Sequence, residues 1–412
     1  MRLLFLTSLA LLLLGCGRQP VEVSQSDAEF QKQLQLQLIQ AKPGEVIELP
    51  AGKWTFTRSL SLNKSDVTLR GAGADKTVLS FKGQVQGAEG IIINAAERVT
   101  IENLAIEDTK GDGLKANGCK DLTLRNVRVE WTNGPDEKNG AYGLYPVQCE
   151  RVLIEKSVAI GASDAGIYVG QSQHIVVRDS RAEFNVAGIE IENSTYADVY
   201  RNVVTNNTGG ILVFNMPGLP VKDGRKTRVY GNHIYGNNTD NFAPKGNIVA
   251  TVPAGTGFMV LANDEVEFFT NKVENNQTAN VLILSFDTTG KPANDAEFDP
   301  WPQQVSIHHN EFVGGGDSPD QLDMKALKIA KFGIGGNLPD ILWDGSMPQD
   351  GNLPVNASSM QICIRDNGNA RFANIDFAGK LAGFSQSLQP HDCELPALPP
   401  VTWPGLDAGV GS

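Results

Sequence analysis

Val99-Thr-Ile-Glu-Asn103 and Leu122-Thr-Leu-Arg-Asn126 are the first two of eight similar five-residue segments along this chain. The other six are Val152-Leu-Ile-Glu-Lys156, Ile175-Val-Val-Arg-Asp179, Asp198-Val-Tyr-Arg-Asn202, Arg228-Val-Tyr-Gly-Asn232, Glu267-Phe-Phe-Thr-Asn271 and Ser306-Ile-His-His-Asn310. Between their fifth positions the steps are 23, 30, 23, 23, 30, 39 and 39 residues. A base period of 23 residues with inserted loops is typical of a solenoid, in which similar coils stack on one another.

The composition of each segment indicates a short strand that ends in a turn. Val, Ile and Leu alternate with other residues as in half-buried strands, and Gly and Asn occupy the breaks. Asn suits such a turn because it tolerates the left-handed backbone region and can hydrogen-bond the backbone locally. Stacked once per coil, Asn side chains can also bond to one another. The sequence therefore predicts an all-β fold, a right-handed parallel β-helix.

The N-terminal residues indicate an export signal. Arg2 provides a basic start, Leu3 to Leu14 form an apolar run too short to span a bilayer, and Leu-Leu-Gly is followed by Cys16. This pattern resembles the lipobox of Gram-negative lipoproteins. Residues 1–16 are therefore predicted to be a lipoprotein signal peptide, with Cys16 as the lipidation site. By the same resemblance, Gly17 in place of Asp favours the outer membrane.

Non-repetitive segments flank the repeats. Residues 17–44 are predicted to hold a tether and an N-terminal cap helix, which begins with a capping box at Ser26-Asp-Ala-Glu29. The alternation Gln33-Leu-Gln-Leu-Gln-Leu38 is also compatible with a strand. The β-helix is predicted over 45–313, and 314–412, where the period is lost, forms a C-terminal cap. Such caps hide the apolar ends and unpaired strand edges of a solenoid.

Four cysteines remain when Cys16 is set aside. Cys363 and Cys393 lie in the C-terminal region of an exported chain, so we expect a disulfide there. Cys119 and Cys149 occupy the same position in neighbouring coils, a spacing compatible with a disulfide or with two buried thiols. No Cys or His cluster has the spacing of zinc or haem ligands. The sequence predicts no metal site and no cofactor, and a bound Ca²⁺ has no support in it.

A second column of strands appears twelve or thirteen residues ahead of the Asn column. Its segments are Leu114-Lys-Ala-Asn117, Leu144-Tyr-Pro-Val147, Ile167-Tyr-Val-Gly170, Ile189-Glu-Ile-Glu192, Ile211-Leu-Val-Phe214, Phe258-Met-Val-Leu261 and Val281-Leu-Ile-Leu284. Because successive side chains of a strand point to opposite faces, half of these residues fill the core. The outward residues are Lys115, Asn117, Tyr145, Tyr168, Glu190, Glu192, Leu212, Phe214, Met259 and Leu261. The second half of this face is apolar, so we expect a loop, a partner or a ligand to cover it.

Long insertions flank this column and predict a groove suited to a polymer. Residues 131–142 and 237–254 precede the strands, whereas 216–226 and 287–303 follow them. The aromatic residues of these walls, whose flat faces can stack on sugar rings, are Trp131, Tyr142, Phe242, Phe298 and Trp301. Trp131, Tyr142 and Trp301, together with Asn117 and Tyr145 of the sheet, are candidate substrate-binding residues.

Candidate catalytic residues lie on adjacent coils of the groove. Glu190 and Glu192 share one face with Cα atoms about 6.6 Å apart, so their carboxyl groups could take either separation used by glycoside hydrolases. Tyr145, Tyr168 and Lys115 could act as acid or base if their pKa values were lowered. Asp164 could bind a cation or accept hydrogen bonds. The alternative is an ordinary solvated sheet face whose charges prevent aggregation.

Other stretches resemble known families. Gly44-Glu-Val-Ile-Glu-Leu-Pro-Ala-Gly52 and Val67-Thr-Leu-Arg-Gly-Ala-Gly73 resemble the opening of the pectate-lyase-like β-helix superfamily, which includes polysaccharide lyases, galacturonases and alginate C5-epimerases. Asn139-Gly-Ala-Tyr-Gly-Leu-Tyr-Pro-Val-Gln-Cys149, Ala162-Ser-Asp-Ala-Gly-Ile-Tyr-Val-Gly-Gln171 and Ala187-Gly-Ile-Glu-Ile-Glu-Asn-Ser194 resemble a bacterial family of parallel β-helix repeat lipoproteins without an established activity. The resemblance covers most of the mature chain and implies fold and location more than chemistry.

The chain also departs from the enzymes of that superfamily. The Asp-Pro-His-Asp segment of alginate epimerases does not occur, and the nearest acidic turn is Ser163-Asp164-Ala165. The adjacent aspartates and the Gly-His-Gly of galacturonases do not occur either. Neither activity therefore transfers to this chain by motif.

Two functions remain open at the level of sequence. The first is a cell-envelope lipoprotein whose groove binds a polysaccharide and processes it as a lyase, epimerase or hydrolase. The second is a non-catalytic scaffold or maturation factor that docks another envelope protein through Leu212, Phe214, Met259 and Leu261. Either would touch the membrane through its lipid anchor only. The net charge of −12 argues against nucleic acid, for which a basic stripe is expected.

Overall fold

The computed structural model describes residues 23–347 and 361–406 as a stack of parallel coils. Helix α1 (Gln25–Gln40) precedes the stack, and helix α2 (Leu322–Phe332) is inserted between strands of its last coils. The predicted signal peptide, Cys16 and most of the tether lie outside the described residues. Neither described helix is long and apolar enough to cross a membrane.

The strands of the first coils are β1 (Val46–Glu48), β2 (Gly52–Thr55), β3 (Arg58–Leu62), β4 (Val67–Arg70), β5 (Thr77–Ser80), β6 (Gln86–Asn94), β7 (Glu97–Glu107), β8 (Leu114–Asn117), β9 (Lys120–Glu130), β10 (Tyr142–Val147), β11 (Glu150–Glu155), β12 (Val158–Ile160), β13 (Ala165–Gly170), β14 (Gln173–Arg178) and β15 (Arg181–Glu183). The later strands are β16 (Ala187–Glu192), β17 (Thr195–Tyr200), β18 (Val203–Thr205), β19 (Gly209–Phe214), β20 (Arg225–Tyr230), β21 (His233–Tyr235), β22 (Thr256–Leu261), β23 (Asp264–Phe269), β24 (Lys272–Glu274), β25 (Ala279–Leu284), β26 (Val305–His308), β27 (Glu311–Val313), β28 (Ile341–Trp343), β29 (Ile362–Arg365) and β30 (Phe372–Asn374).

These strands form two long parallel sheets. We call the 11-stranded one sheet B; it runs β3-β6-β8-β10-β13-β16-β19-β22-β25-β28-β30, and sheet A contains the other 19 strands. Each strand pairs with its counterpart in the next coil, as Ile167 of β13 pairs with Ile189 of β16. Aliphatic side chains of both sheets fill the space between them, so the core is a continuous apolar column. The predicted all-β solenoid is confirmed.

The sequence alignment of the coils is wrong by one residue at a single point. Arg178 pairs with Tyr200, a step of 22 residues rather than the 23 inferred between Asp179 and Asn202. Asp179 and Arg201, both with φ near +50°, therefore share one left-handed position, and Ser180 and Asn202 share the next. The slip escaped detection because Asn and Asp suit both positions.

Buried asparagines form two ladders that run along the stack. In the first ladder each Nδ2 donates to the Oδ1 of the next coil at 3.0, 3.0, 3.1 and 3.0 Å, through Asn202, Asn232, Asn271, Asn310 and Asn367. A second ladder, which the sequence analysis missed, bonds in the same way at 3.0, 2.9 and 3.1 Å through Asn185, Asn207, Asn237 and Asn276. The same Oδ1 atoms also accept hydrogen bonds from backbone N–H groups at the turns, such as those of Asn202 and Asn207. Without the ladders these buried backbone groups would lack partners.

The outer face of sheet A carries a column of alternating charge, followed by a column of stacked rings. The charge column consists of Glu48, Arg70, Glu102, Arg125, Glu155 and Arg178, and each Arg contacts the Glu of a neighbouring coil. The rings of Tyr200, Tyr230, Phe269 and His308 continue it with centroids 4.8, 4.9 and 5.2 Å apart. His308 thus packs as part of the stacked column, and its Nε2 lies 3.1 Å from Glu267.

Helix α1 closes the first coil of sheet B. Its N-cap is Ser24, whose Oγ accepts from the N–H of Asp27, so the predicted capping box at Ser26 is wrong. Gln31 and Gln35 donate to the carbonyls of Arg58 and Ser61 in β3 at 2.8 and 2.9 Å. Their side-chain amides bond to backbone groups at this open edge, and Leu34 and Leu38, four residues apart, are buried on the same side of the helix.

The C-terminal boundary of the stack lies later than predicted. Strands β28, β29 and β30 continue both sheets in parallel, so the coils extend to about residue 374 rather than 313. Cys363 and Cys393 form the expected disulfide. Cys119 and Cys149 are buried free thiols, and the N–H of Cys119 donates to Sγ of Cys149 at 3.3 Å.

After the disulfide, residues 394–406 return along the outer face of sheet A. The N–H of Leu398 donates to Glu267 at 3.1 Å, and the N–H of Val401 donates to Asp198 at 3.2 Å. Val401 packs into a small apolar cluster with Val176 and Tyr200. This strap covers part of sheet A, whereas sheet B is covered by the insertions described below.

Candidate functional site

Two lines of side chains run along the outer face of sheet B. The first line contains Lys115, Tyr145, Tyr168, Glu190, Leu212, Met259 and Leu282, one from each of seven consecutive coils. The second line contains Asn117, Val147, Gly170, Glu192, Phe214, Leu261 and Leu284. The predicted outward set therefore occupies these two lines.

An insertion covers the middle of the first line. Residues 237–255, which we call the roof segment, place Ala243, Val249 and Val252 in one apolar cluster with Tyr168 and Leu212. As a result Tyr168 and Glu190 are each only 3% exposed. The alternative of an ordinary solvated face is therefore wrong for these residues, because an insertion from a later coil folds over them.

The insertions on the two sides of sheet B are tied together. Lys291 donates from Nζ to the carbonyl of Gly246 in the roof segment at 2.7 Å. Lys222 and Asp295 join the two insertions that follow the strands, at 2.6 Å. The predicted open groove is thus closed above the middle coils.

The apolar half of the face is covered by the chain itself. Leu212, Phe214, Met259 and Leu261 are all buried and pack against the insertions and the C-terminal region. They are not exposed to another protein, so the predicted scaffold contact through these four residues is wrong. A loop, a partner or a ligand was expected to cover this apolar half. The cover is formed by other segments of the same chain.

Three acidic side chains meet beneath the roof segment. The Tyr168 hydroxyl donates to Oε1 of Glu192 at 2.6 Å. It reaches that carboxylate by folding over Gly170, where a Cβ would lie 2.1 Å from the hydroxyl oxygen. Asn247 of the roof segment donates to Oδ2 of Asp164 at 3.4 Å. Among the described residues, Oε2 of the buried Glu190 has no hydrogen-bond partner.

Burial separates the protonation states of the three acids. Burial raises the pKa of Glu190 well above its usual range, and the charges of Asp164 and Glu192 raise it further. The pKa of Asp164 rises to about 7, first through burial and then through the charge of Glu192. Burial also raises the pKa of Glu192, but the Tyr168 hydroxyl bond favours its charged form. The surroundings of Glu190 therefore favour its protonated form, and Glu192 is the better placed of the two glutamates to carry negative charge.

Three tyrosine rings flank the acids. The centroids of Tyr142 and Tyr145 lie 4.3 Å apart, and Tyr168 lies 4.6 and 5.0 Å from them. Burial raises the pKa of Tyr145 to about 12 and that of Tyr168 well above its usual value. A base would need a lowered pKa, so the predicted role of Tyr168 as a proton acceptor is wrong. Its hydroxyl is a hydrogen-bond donor instead.

The Lys115 end of the site is partly exposed. Lys115 lies with Nζ 4.8 Å from the Tyr145 ring centroid, and Lys115, Asn117 and Tyr145 are all half-buried. Asp112, which the sequence analysis missed, lies beside them. Its pKa rises to about 6 through burial, against the charge of Lys115. Asp112 precedes its strand much as Asp164 does, and that shared placement was the available signal.

Two predicted wall residues do not belong to the site. Trp131 is 4% exposed in the core and donates from Nε1 to the carbonyl of Thr109 at 2.8 Å, so it cannot stack on a sugar. Phe298 is buried against Phe286. Trp301 is half-buried in its insertion, and Phe242 packs within the roof segment, whereas Tyr142 joins the tyrosine cluster.

A metal ion finds no ready-made site in the described part of the chain. No group of three or more His, Cys, Asp or Glu in residues 23–347 and 361–406 is arranged to hold one.

Fold and site together define the class of protein. Parallel coils with two sheets, two asparagine ladders and a capped first coil make the chain a right-handed parallel β-helix protein. Residues 69–217 match the family described as the right handed beta helix region.

Comparison with individual proteins gives distant similarities. The chain is 25% identical over 207 residues to the pre-neck appendage protein of Bacillus phage B103, a match covering 41% of this chain and 24% of that protein. The A-module of the mannuronan C-5 epimerase AlgE6 from Azotobacter vinelandii superposes with a TM-score of 0.48 at 16% identity, covering 78% of this chain and 86% of that one. An alginate lyase from Paenibacillus sp. gives 0.45 at 15%, covering 69% and 92%. At such identities the likeness extends no further than the fold.

Proposed function

We propose that this chain is an envelope protein that binds a polysaccharide along the outer face of sheet B and hydrolyses it at Glu190 and Glu192. The observation that carries the proposal is a buried acid, Glu190, with an unpartnered oxygen and a raised pKa. Burying a carboxyl without a cation costs stability, and such groups are concentrated at functional sites. The proposal rests on this site rather than on the distant neighbours.

The chemistry of the cluster favours hydrolysis over elimination or epimerisation. Hydrolysis of a glycosidic bond uses one protonated and one ionised carboxyl group. Burial raises the pKa of both Glu190 and Glu192, but a hydrogen bond from Tyr168 favours the charged form of Glu192 alone. Elimination and epimerisation need a base that removes a proton beside a carbonyl, and the raised pKa values of Tyr145 and Tyr168 argue against a tyrosine in that role. Glu190 is thus assigned as the acid and Glu192 as the charged partner held by Tyr168.

Access requires movement of the roof segment. A sugar that enters past Lys115, Asn117 and Tyr145 reaches Glu190 only when the bond from Asn247 to Asp164 opens. At 3.4 Å that hydrogen bond is long, so it opposes the movement only weakly. The half-buried rings of Tyr142 and Tyr145 offer stacking faces at this entrance.

The test is turnover of a panel of acidic and neutral polysaccharides, measured as new reducing ends. We expect Glu190→Gln and Glu192→Gln each to lower turnover at least about a hundredfold, the scale of general acid–base catalysis. Glu137→Gln, an exposed change in a nearby insertion, should leave it unaltered. Turnover that survives in the double variant would move the chemistry elsewhere, and unsaturated products would replace hydrolysis by elimination.

We also propose that the chain is anchored to the outer membrane through acyl chains on Cys16. The support is the apolar run and the Leu-Leu-Gly-Cys16 segment of the sequence. Replacing Cys16 by Ser should move the protein from the membrane fraction to the soluble periplasmic fraction, because one or two acyl chains then no longer hold it. An unchanged distribution on fractionation would contradict the anchor.

A further inference from the structure

An apolar cavity of about 850 Å³ lies farther along the same face of sheet B, away from the acids. Its floor is made by Met259, Leu282 and Leu342, which continue the first line. The roof segment forms one wall with Val252 and Pro253, and α2 forms the opposite wall. This volume falls within the range of roughly 300–1,000 Å³ usual for small-molecule sites.

The polar groups of the lining are already used within the chain. The hydroxyls of Thr251, Thr288 and Thr289 donate to backbone carbonyls at 2.7, 2.7 and 2.8 Å. Gln321 donates to the carbonyl of Thr251 at 2.9 Å, and Asp323 accepts from the N–H of Met324 at 2.8 Å. A sugar or a peptide placed here would lose hydrogen bonds to water and gain few in return. An aliphatic chain makes no hydrogen bonds to water, so it loses none when it enters the cavity.

Two exposed charged side chains line the cavity, Asp323 and Lys380. Asp323 accepts a hydrogen bond from its own helix, whereas the ammonium group of Lys380 has no ion pair or hydrogen bond among residues 23–347 and 361–406. A ligand with an anionic head at the mouth would give this ammonium a partner, while its apolar chain would contact Met259, Leu282 and Leu342.

We propose that this cavity binds a single-chain lipid anion, with its aliphatic chain on the floor of sheet B and its head at Lys380. The site is separate from Asp164, Glu190 and Glu192 and does not depend on the hydrolytic function. A free fatty acid and a monoacyl phospholipid share this chemistry, and the experiment tells them apart.

The experiment uses the full chain carrying Cys16→Ser, so that no attached acyl chain competes. After delipidation, calorimetric titration compares octanoate, dodecanoate and hexadecanoate with hexadecanol and with palmitoyl lysophosphatidylglycerol. Affinity should rise about fourfold for each buried methylene group. Tighter binding of hexadecanoate indicates a free fatty acid, and tighter binding of the lysolipid indicates a membrane source. Affinity that does not change with chain length overturns the proposal.

Variants assign the binding to this cavity. Ala330→Trp, which fills the cavity from α2, should weaken hexadecanoate at least tenfold, and Ala378→Trp should do the same from the opposite side. Lys325→Trp, on the same helix but outside the lining, is the matched control. Lys380→Ala should weaken hexadecanoate several-fold and leave hexadecanol unchanged. Full binding in both tryptophan variants, or an equal loss for acid and alcohol in Lys380→Ala, contradicts the assignment.

Discussion

Replacing Asn232 by Ala is expected to lower the free energy of unfolding by about 4 kcal/mol, because four buried hydrogen bonds disappear at about 1 kcal/mol each. Two are donated by its Nδ2, to the carbonyl of Val199 at 2.9 Å and to Asn271 at 3.0 Å. The other two are received by its Oδ1 from the backbone and side chain of Asn202, both at 3.0 Å. Urea unfolding of wild type and variant measures the difference.

The matched control for the ladder is Asn133→Ala. Asn133 is exposed in an insertion, so its loss should change stability by less than about 0.5 kcal/mol. Asn232→Asp should be at least as harmful as Asn232→Ala, because its buried carboxylate would face two acceptor oxygens, the carbonyl of Val199 and Oδ1 of Asn271, with no proton to donate. A loss near that of the control would mean that the ladder orders the turns without stabilising the fold.

The second large effect has the opposite sign. Asp164→Asn is expected to raise the free energy of unfolding near pH 7.5 by a few kcal/mol. Folding raises the pKa of Asp164 from 3.8 to about 7, so the wild type loses stability as the pH rises through that interval, where the unfolded chain ionises first. A shift of about three units corresponds to roughly 4 kcal/mol, as an upper value for one member of an interacting set.

Unfolding curves at about pH 4, 5.5 and 7.5 test this expectation. At pH 4 the carboxyl is protonated in the folded chain and only about half ionised in the unfolded one, so most of the stabilising effect of Asp164→Asn should be lost there. Asp317→Asn, an exposed change, should show no such pH dependence. An Asn variant that is less stable than wild type at every pH would mean that the Asp164 carboxylate is well stabilised in the fold.

The repeat could be found from sequence because each coil repeats its own strand and turn chemistry. The exact register of the turns could not be found from sequence. Asp179 and Asn202 look equivalent in sequence, but they occupy successive positions of the turn in the fold. The outward direction of Glu190 follows from alternation within β16. Its burial does not, because the roof segment that covers it comes some fifty residues later, and no period relates the two.

The positions of the aromatic side chains also could not be predicted from the sequence. Tyr142 and Trp131 border the same insertion, and both carry a flat apolar ring. Tyr142 joins the cluster with Tyr145 and Tyr168, whereas Trp131 turns into the core to bond Thr109. The backbone of Gly140 makes room for that indole, since a Cβ there would lie 2.6 Å from the ring. The sequence around the two rings does not distinguish them. The packing between coils determines which ring enters the core and which lies at the site.

The alternating charges on the outer face of sheet A can prevent coils from stacking in the wrong order during folding. If a coil were skipped during folding, Glu102 would meet Glu155 and Arg125 would meet Arg178, so like charges would oppose the wrong pairing. Beyond Arg178 the column turns aromatic, and any ring stacks acceptably on any other. In the early coils, charge repulsion should therefore destabilise a wrongly stacked coil. In the later coils only the different lengths of the insertions distinguish one coil from the next.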